Sequence, residues 1–354
     1  MEAASVPTRK PVRRPRELVG EFVSKYGLVA LLLVMPVAFG IGDLQRDGDL
    51  GRLATNIKDG LSNGAIWALI AVGYTLVYGI IELINFAHGD VFMIGSFVSF
   101  GFFGTVGLTA ATGPLGLAFG LLITLLVAMV ACGTLNVMIE RVAYRPLRNA
   151  PKLAPLITAV GFSFILQNVG LLWLGGSHRS VPDLIGSQDR LFALLGVTVT
   201  KGDALALAVT APLVILVVNF ITRSRIGKAM RATAQDPEAA RLMGINVDTT
   251  ISFTFLVGGM MAGAAGIIYA VYQTDVWFFA GFTAGLLAFT AAVMGGIGNL
   301  WGAVLGGLII GVLQQISDNR IGTEWTPVVV FGFLVLILVL RPQGLLGEQT
   351  REAG

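Results

Sequence analysis

Ten long apolar runs, almost free of Lys, Arg, Asp and Glu, recur along this 354-residue chain at roughly 27–42, 61–81, 91–107, 115–139, 153–175, 203–222, 250–273, 276–297, 300–316 and 325–340. A helix needs about 20 apolar residues to cross a bilayer, so ten spans would use about 200 residues and leave about 150 for loops and tails. No large soluble domain fits in that remainder. Composition agrees, with 55% hydrophobic and 13% charged residues, about half the charged share of a soluble domain. The expected fold is an all-α polytopic membrane protein of about ten transmembrane or partly re-entrant helices, not a water-soluble enzyme. The shortest runs flank the break Gly295-Gly296-Ile297-Gly298-Asn299, where a re-entrant or broken helix is expected.

Charge placement supplies an orientation. Residues 1–26 are polar and carry Arg9, Lys10, Arg13, Arg14, Arg16 and Lys25 ahead of the first apolar run. The basic region is long and no small-x-small cleavage site follows, which favours an uncleaved first span over a signal peptide. Placing the amino end inside assigns most Lys and Arg to cytoplasmic segments, as the positive-inside rule requires. Both ends are then cytoplasmic, with tails at 1–26 and 342–354 around a transmembrane domain at 27–341. The segment 223–249 becomes a cytoplasmic loop and 176–201 an external one, where Val197-Thr198-Val199-Thr200 alternates like a strand and predicts a small hairpin. The expected location is the plasma membrane.

Several functions are disfavoured. An excess of 24 Lys and Arg over 21 Asp and Glu is too small and scattered for a nucleic-acid-binding face. A lone cysteine, Cys132, permits no intrachain disulfide or cysteine-based metal site. Gly227-Lys228 lacks the upstream glycine of a phosphate-binding loop, so any ATP is expected to be hydrolysed by another chain, and no cofactor is expected in this one. Proton-coupled carriers generally place Asp, Glu or His within spans, and none is expected at mid-span here. The polar groups in or beside the runs are neutral, among them Asn136, Gln167, Asn168, Gln273, Asn299, Gln314 and Gln315. Energy supplied from outside the membrane, or passive conduction, is favoured; a sodium-coupled carrier using broken helices stays open.

Within the spans, Gly298, Gly302 and Gly306 recur every fourth residue, as do Gly307 with Gly311 and Gly259 with Gly263. Such spacing lets helix backbones approach closely in lipid, and helix packing is the role expected of it. One polar insertion, Glu82-Leu83-Ile84-Asn85-Phe86-Ala87-His88-Gly89-Asp90, separates two apolar runs. It is a structural turn if Gly89 closes one helix and Asp90 caps the next. The functional alternative places Asn85 and His88 on a translocation pathway or its gate, with Gln167 and Asn168 as further candidates. A metal site is not expected, since the other histidine, His178, falls on the opposite side.

The segment RSRIGKAMRATAQDPEAARLMGINVD, from Arg223 to Asp248, contains a compact helix specification. Asp236 suits the N-cap, Pro237 the first helical position, Glu238 the positive end of the dipole, Arg241 the negative end and Gly244 the C′ position. A helix of about seven residues is roughly 10 Å long and unstable alone in water, so it must pack on something. Ala239 and Ala240, flanked by Arg231, Arg241 and Leu242, suit a groove on its own bundle or on a cytoplasmic partner.

Glu238-Ala239-Ala240 followed by Gly244 resembles the coupling loop of ATP-binding-cassette importer permeases, although the Ile-x-Leu-Pro part of that motif is absent. AIWALIAVGYTLVYGIIELINFAHGDVFMIG (65–95), RVAYRPLRNAPKLAPLITAVGFSFILQN (141–168) and GGIGNLWGAVLGG (295–307) are similar to branched-chain amino-acid permeases of the H type, in the hydrophobic amino acid uptake family. The resemblance implies an importer subunit for leucine, isoleucine and valine. It also implies a second related permease chain, two ATPase subunits and an external solute-binding protein as partners. Urea and short-amide permeases share much of the pattern, including the Asn-x-Ala-His-Gly-acid turn. In that family the loop seats a coupling helix on the ATPase, which would make Arg231, Asp236, Glu238, Ala239, Ala240, Arg241 and Gly244 the coupling residues.

Overall fold

The structure is a computed structural model describing residues 30, 33–46, 48–148, 150, 151, 153–194 and 196–347. The expected tail 1–26, the start of the first expected span and the end of the tail 342–354 lie outside the described residues. A helical stretch over 33–46 (α1) precedes α2 (Gly51–Ile81), α3 (His88–Val106), α4 (Pro114–Ile139), α5 (Leu153–Leu174), α6 (Lys201–Arg223), α7 (Arg225–Gln235), α8 (Pro237–Leu242), α9 (Val247–Gln273), α10 (Ala280–Gly295), α11 (Leu300–Arg320) and α12 (Thr326–Leu340). Among the described residues, eight helical segments are long and apolar enough to cross a membrane, and α10 is a shorter apolar helix. Two small antiparallel pairs complete the chain: β1 (Arg179–Ser180) with β4 (Asp275–Val276), and β2 (Arg190–Leu194) with β3 (Val197–Thr200). The second pair is the hairpin expected from the Val-Thr alternation.

The helices sort into a centre and a rim. Of the most apolar stretch of α2 and of α9, 78% is buried, against 28% in the spans formed by α4, α5 and α12, whose exposed faces suit lipid. Because lipid is as apolar as leucine, the centre is held by close packing and interhelical hydrogen bonds instead. A methyl group built on Gly64 would stand 2.8 Å from the Leu308 Cα, and one on Gly307 would stand 2.6 Å from the Ala68 nitrogen, so α2 and α11 touch backbone to backbone. Neutral amides hold the same seam: Trp67 Nε1 donates to Gln314 Oε1 at 2.7 Å, Asn63 Nδ2 to Gln315 Oε1 at 3.1 Å, and Gln273 Nε2 to Asn63 Oδ1 at 3.0 Å.

Several expectations need correction. Helix α2 begins about ten residues before the expected span and carries Lys58 into the bundle. The ammonium is tolerated because its Nζ lies 2.6 Å from Asp203. Asp203, inside the expected sixth span, also completes a capping box with Thr200. Gly302 and Gly306 do pack, against Gly295 and Ala291 of α10, but Gly298 does not. It precedes α11, has open space around it and a φ of +93°, so it serves the turn of the break.

That break is closed by the chain's other end. Gly296 and Gly298 interrupt the helix ladder, leaving terminal carbonyls of α10 in need of donors. The stretch after α12 supplies them: Leu345 N donates to Met294 O at 2.8 Å and Leu346 N to Gly295 O at 2.9 Å, while Asn299 Nδ2 reaches back to Leu346 O at 2.8 Å.

Candidate functional site

Local rules build the coupling segment. Asp236 Oδ1 accepts from the backbone N–H groups of Glu238 and Ala239 at 2.9 and 3.0 Å, Pro237 follows at the first helical position, and Gly244 takes the left-handed conformation at φ +81°. Ile245 N closes onto Ala240 O at 3.0 Å. The six-residue α8 is thereby fixed at both ends. Glu238, Ala239 and Arg241 are exposed, whereas Ala240 is only 3% exposed and turns into its own chain. The surface left for a partner instead includes Leu242 and Met243, 89% and 82% exposed. Met243 was missed by sequence reasoning; an apolar pair next to a helix-ending glycine was the available signal. Arg231 is engaged within the chain, its guanidinium donating to Ile221 O and to Thr222 O at the end of α6.

Preceding α8 is an amphipathic helix, α7, capped by Ser224 Oγ, which accepts from Gly227 N at 2.9 Å. Its Met230, Arg231 and Ala234 form one wall of a 510 Å³ cavity, whose other walls are Thr75, Gly79 and Ile80 of α2, Val218, Ile221 and Thr222 of α6, and Ile297 to Trp301 at the break. At this same end, Arg148 pairs with the buried Glu140 and, at 2.5 Å, with Asp248, and Arg145 lies 2.7 Å from Asp248. Charges that read in sequence as topological markers therefore join the end of α4 to the start of α9.

The insertion between α2 and α3 is no surface turn. Glu82 ends α2 in the left-handed conformation, a short irregular stretch closing in a turn at 86–87 follows, and α3 starts at His88. His88 packs against Gly73, where an added methyl group would stand 2.8 Å from its Cε1. Gly73 is two helical turns short of Ile81, so the chain runs back roughly 12 Å along α2 before α3 begins. Gly89 thus closes no helix and Asp90 caps none. The absence of acids and histidine from the interior is corrected too, since His88, Asp90 and Glu140 are all fully buried.

The side chains of this segment meet different surroundings. Asn85 points into the protein, where its Nδ2 donates to Asn136 Oδ1 at 3.2 Å and its Oδ1 accepts from Tyr144 Oη at 3.3 Å. Asn136 in turn donates to Phe255 O at 2.7 Å, joining α4 and α9. Ile84 and Phe86 face the other way and line cavities beside α10. His88 sits edge-on to Tyr74 at 4.8 Å between ring centres. Asp90 Oδ2 accepts from Ser163 Oγ at 2.5 Å, and Ser163 Oγ accepts from Gln167 Nε2 at 3.0 Å. Of the four candidate pathway residues, the structure brings Asn85, His88 and Gln167 into the buried interior. Asn168 lies on the outer face of α5, bonded to its own helix at Phe164 O. Among the described residues no group of His, Cys, Asp and Glu could hold a metal ion; His178 pairs with Asp275 at 2.6 Å near the hairpin.

Three cavities follow α2 in series. A 60 Å³ hollow beside Ser163 shares Tyr74 and Phe289 with a 10 Å³ gap, which shares Thr75 and Ile297 with the 510 Å³ cavity beside α7. The gap has room for about one water molecule. The series is therefore closed to a solute at its middle and widest at the α7–α8 end.

A polytopic helical bundle with a constricted, largely uncharged series of cavities fits a membrane permease. Residues 56–340 match the family described as branched-chain amino acid transport system / permease component, and the chain belongs to that family. It is 41% identical over 303 residues to the high-affinity branched-chain amino acid transport system permease protein LivH of Escherichia coli K12, covering 83% of this chain and 95% of that one. Similarity to BraD of Pseudomonas aeruginosa is 40% over 302 residues, covering 84% and 96%. A probable LivH permease of Methanocaldococcus jannaschii is 25% identical over 298 residues, covering 80% and 89%.

Proposed function

We propose that this chain is an inner-membrane translocating subunit of an ATP-driven importer of leucine, isoleucine and valine, working by alternating access with a second permease chain, two ATPase subunits and an external solute-binding protein. The chain makes and breaks no covalent bond; ATP is hydrolysed by the partners. The observation that carries this reading is mechanical. Helix α8, fixed by Asp236 and Gly244 and bearing exposed Leu242 and Met243, continues from α7, and α7 is a wall of the widest cavity. Movement of a partner gripping α8 reaches that cavity directly. Arg231 ties α7 to the end of α6, so the push is passed to a spanning helix. The branched-chain transport assigned to LivH and BraD supports that substrate class over urea or short amides.

The test uses the complete complex in proteoliposomes. Leu242→Asp combined with Met243→Asp, or Gly244→Pro, is expected to abolish ATP-dependent leucine uptake while the protein stays inserted with an unchanged melting temperature. Normal uptake by these variants overturns the coupling assignment. Solute flux through the chain reconstituted alone would point to a passive channel, and gradient-driven uptake without ATP to a sodium-coupled carrier. Binding of urea, and not leucine, by the external protein would replace the substrate class.

A further inference from the structure

The hollow at the upper end of the cavity series differs in chemistry from the rest. Its wall is aromatic, with Tyr74, Phe86, Phe164, Phe282 and Phe289 drawn from α2, α5, α10 and the segment between α2 and α3, and Ser163 stands among them. Ser163 lies near the middle of the 22-residue α5. Directly behind it is Asp90, fully buried, with Oδ2 accepting the hydrogen bond of the Ser163 hydroxyl at 2.5 Å and Oδ1 making no hydrogen bond.

This arrangement discriminates by charge. A hydroxyl offers one donor and two acceptor positions. Ser163 gives its donor to Asp90 and accepts once from Gln167, so the position left accepts a hydrogen bond. An incoming anion would find no donor there and would face a carboxylate. An incoming ammonium group would find an acceptor, the carboxylate behind it and aromatic faces beside it, all favourable to a cation. The ion pairs among the described residues do not include Asp90, and a buried carboxylate without a counter-charge is costly; a passing cation offsets that cost.

Size says how much of the seat this chain provides. Pockets for small molecules run to about 300–1,000 Å³, and 60 Å³ is one wall of such a site. The open side is marked by Phe164 and Phe282, 59% and 41% exposed although they belong to the hollow. A solute seated there leaves the open side to a neighbour, for which the importer reading supplies the second permease subunit.

We propose that the hollow beside Ser163 is the solute seat of this chain, taking a zwitterionic aliphatic amino acid with its ammonium group on the Ser163 hydroxyl that Asp90 backs, its carboxylate toward the open side and its side chain against Phe164, Phe282 and Phe289. The assignment rests on the importer reading and adds to it the residues that select the solute. Asp90→Asn keeps an acceptor for the Ser163 hydroxyl and removes the charge. In the complete complex it is expected to lower leucine uptake about tenfold or more, while loaded binding protein still stimulates ATP hydrolysis. Should Asp90→Asn fail to insert, the exposed pair Phe164→Ala with Phe282→Ala carries the test, with an expected loss larger for leucine than for alanine. Wild-type rates and unchanged leucine-to-alanine preference in the variants that insert overturn the seat. Failure of the importer reading looks different, because the wild-type complex itself would then show no ATP-dependent uptake.

Discussion

The segments 82–90 and 224–246 are both polar interruptions between apolar helices, yet they are held in opposite ways. In the coupling segment every stabilising contact at the α8 ends is local: Asp236 bonds to residues two and three positions on, and Ile245 closes onto Ala240. In the segment between α2 and α3 the contacts are remote. Asn85 meets Asn136, Asp90 meets Ser163, and Gly89 lies against Gly281 and Gly285 of α10. A locally specified helix can move as a unit without losing its own structure, which suits a lever. A segment specified by three other helices keeps its shape only while they stay together, which suits the floor of a pathway.

Substitutions can break this contrast. The largest effect is expected at Gly89, where an added methyl group would stand 2.6 Å from the Gly285 Cα and 2.9 Å from its nitrogen. Backbone there cannot yield, so Gly89→Val is expected to destabilise by about 3 kcal/mol and to lower the inserted yield as well as uptake. Next is Asn136→Ala, which strips Asn85 and the Phe255 carbonyl of their buried partner and should cost about 1–3 kcal/mol, read as a lower melting temperature in detergent. Smallest is Asp236→Ala, with a loss of about 1 kcal/mol for the N-cap. Its global melting temperature should barely move while ATP-coupled uptake falls. If Asp236→Ala unfolded the bundle, or Asn136→Ala left its stability untouched, the distinction between local and remote specification would fail.

Legibility in the sequence followed the same division. The caps of α8, the hairpin strand at Val197–Thr200 and the packing of Gly302, Gly306, Gly307 and Gly311 were readable because each depends on spacing along one element. Ala240 was assigned to a partner surface because a six-residue helix does not announce which side its own bundle covers. Asn85 was placed on the pathway for its polarity, whereas Ile84 and Phe86 are the residues of this segment that line the cavities. Lys58 and Asp203 could not be matched, being 145 positions apart, so the early start of α2 stayed hidden.

By itself the sequence determined a helical chain committed to lipid, the glycine seams within its spans and a short capped helix, since apolar length, capping chemistry and glycine spacing act over a few residues. Only the tertiary structure decided that His88 and Asp90 lie inside the bundle, that Ser163 bridges Asp90 and Gln167, and that the stretch after α12 caps α10. Those outcomes depend on polar groups far apart in the chain finding partners where water is absent, and no local pattern records which partner each will meet.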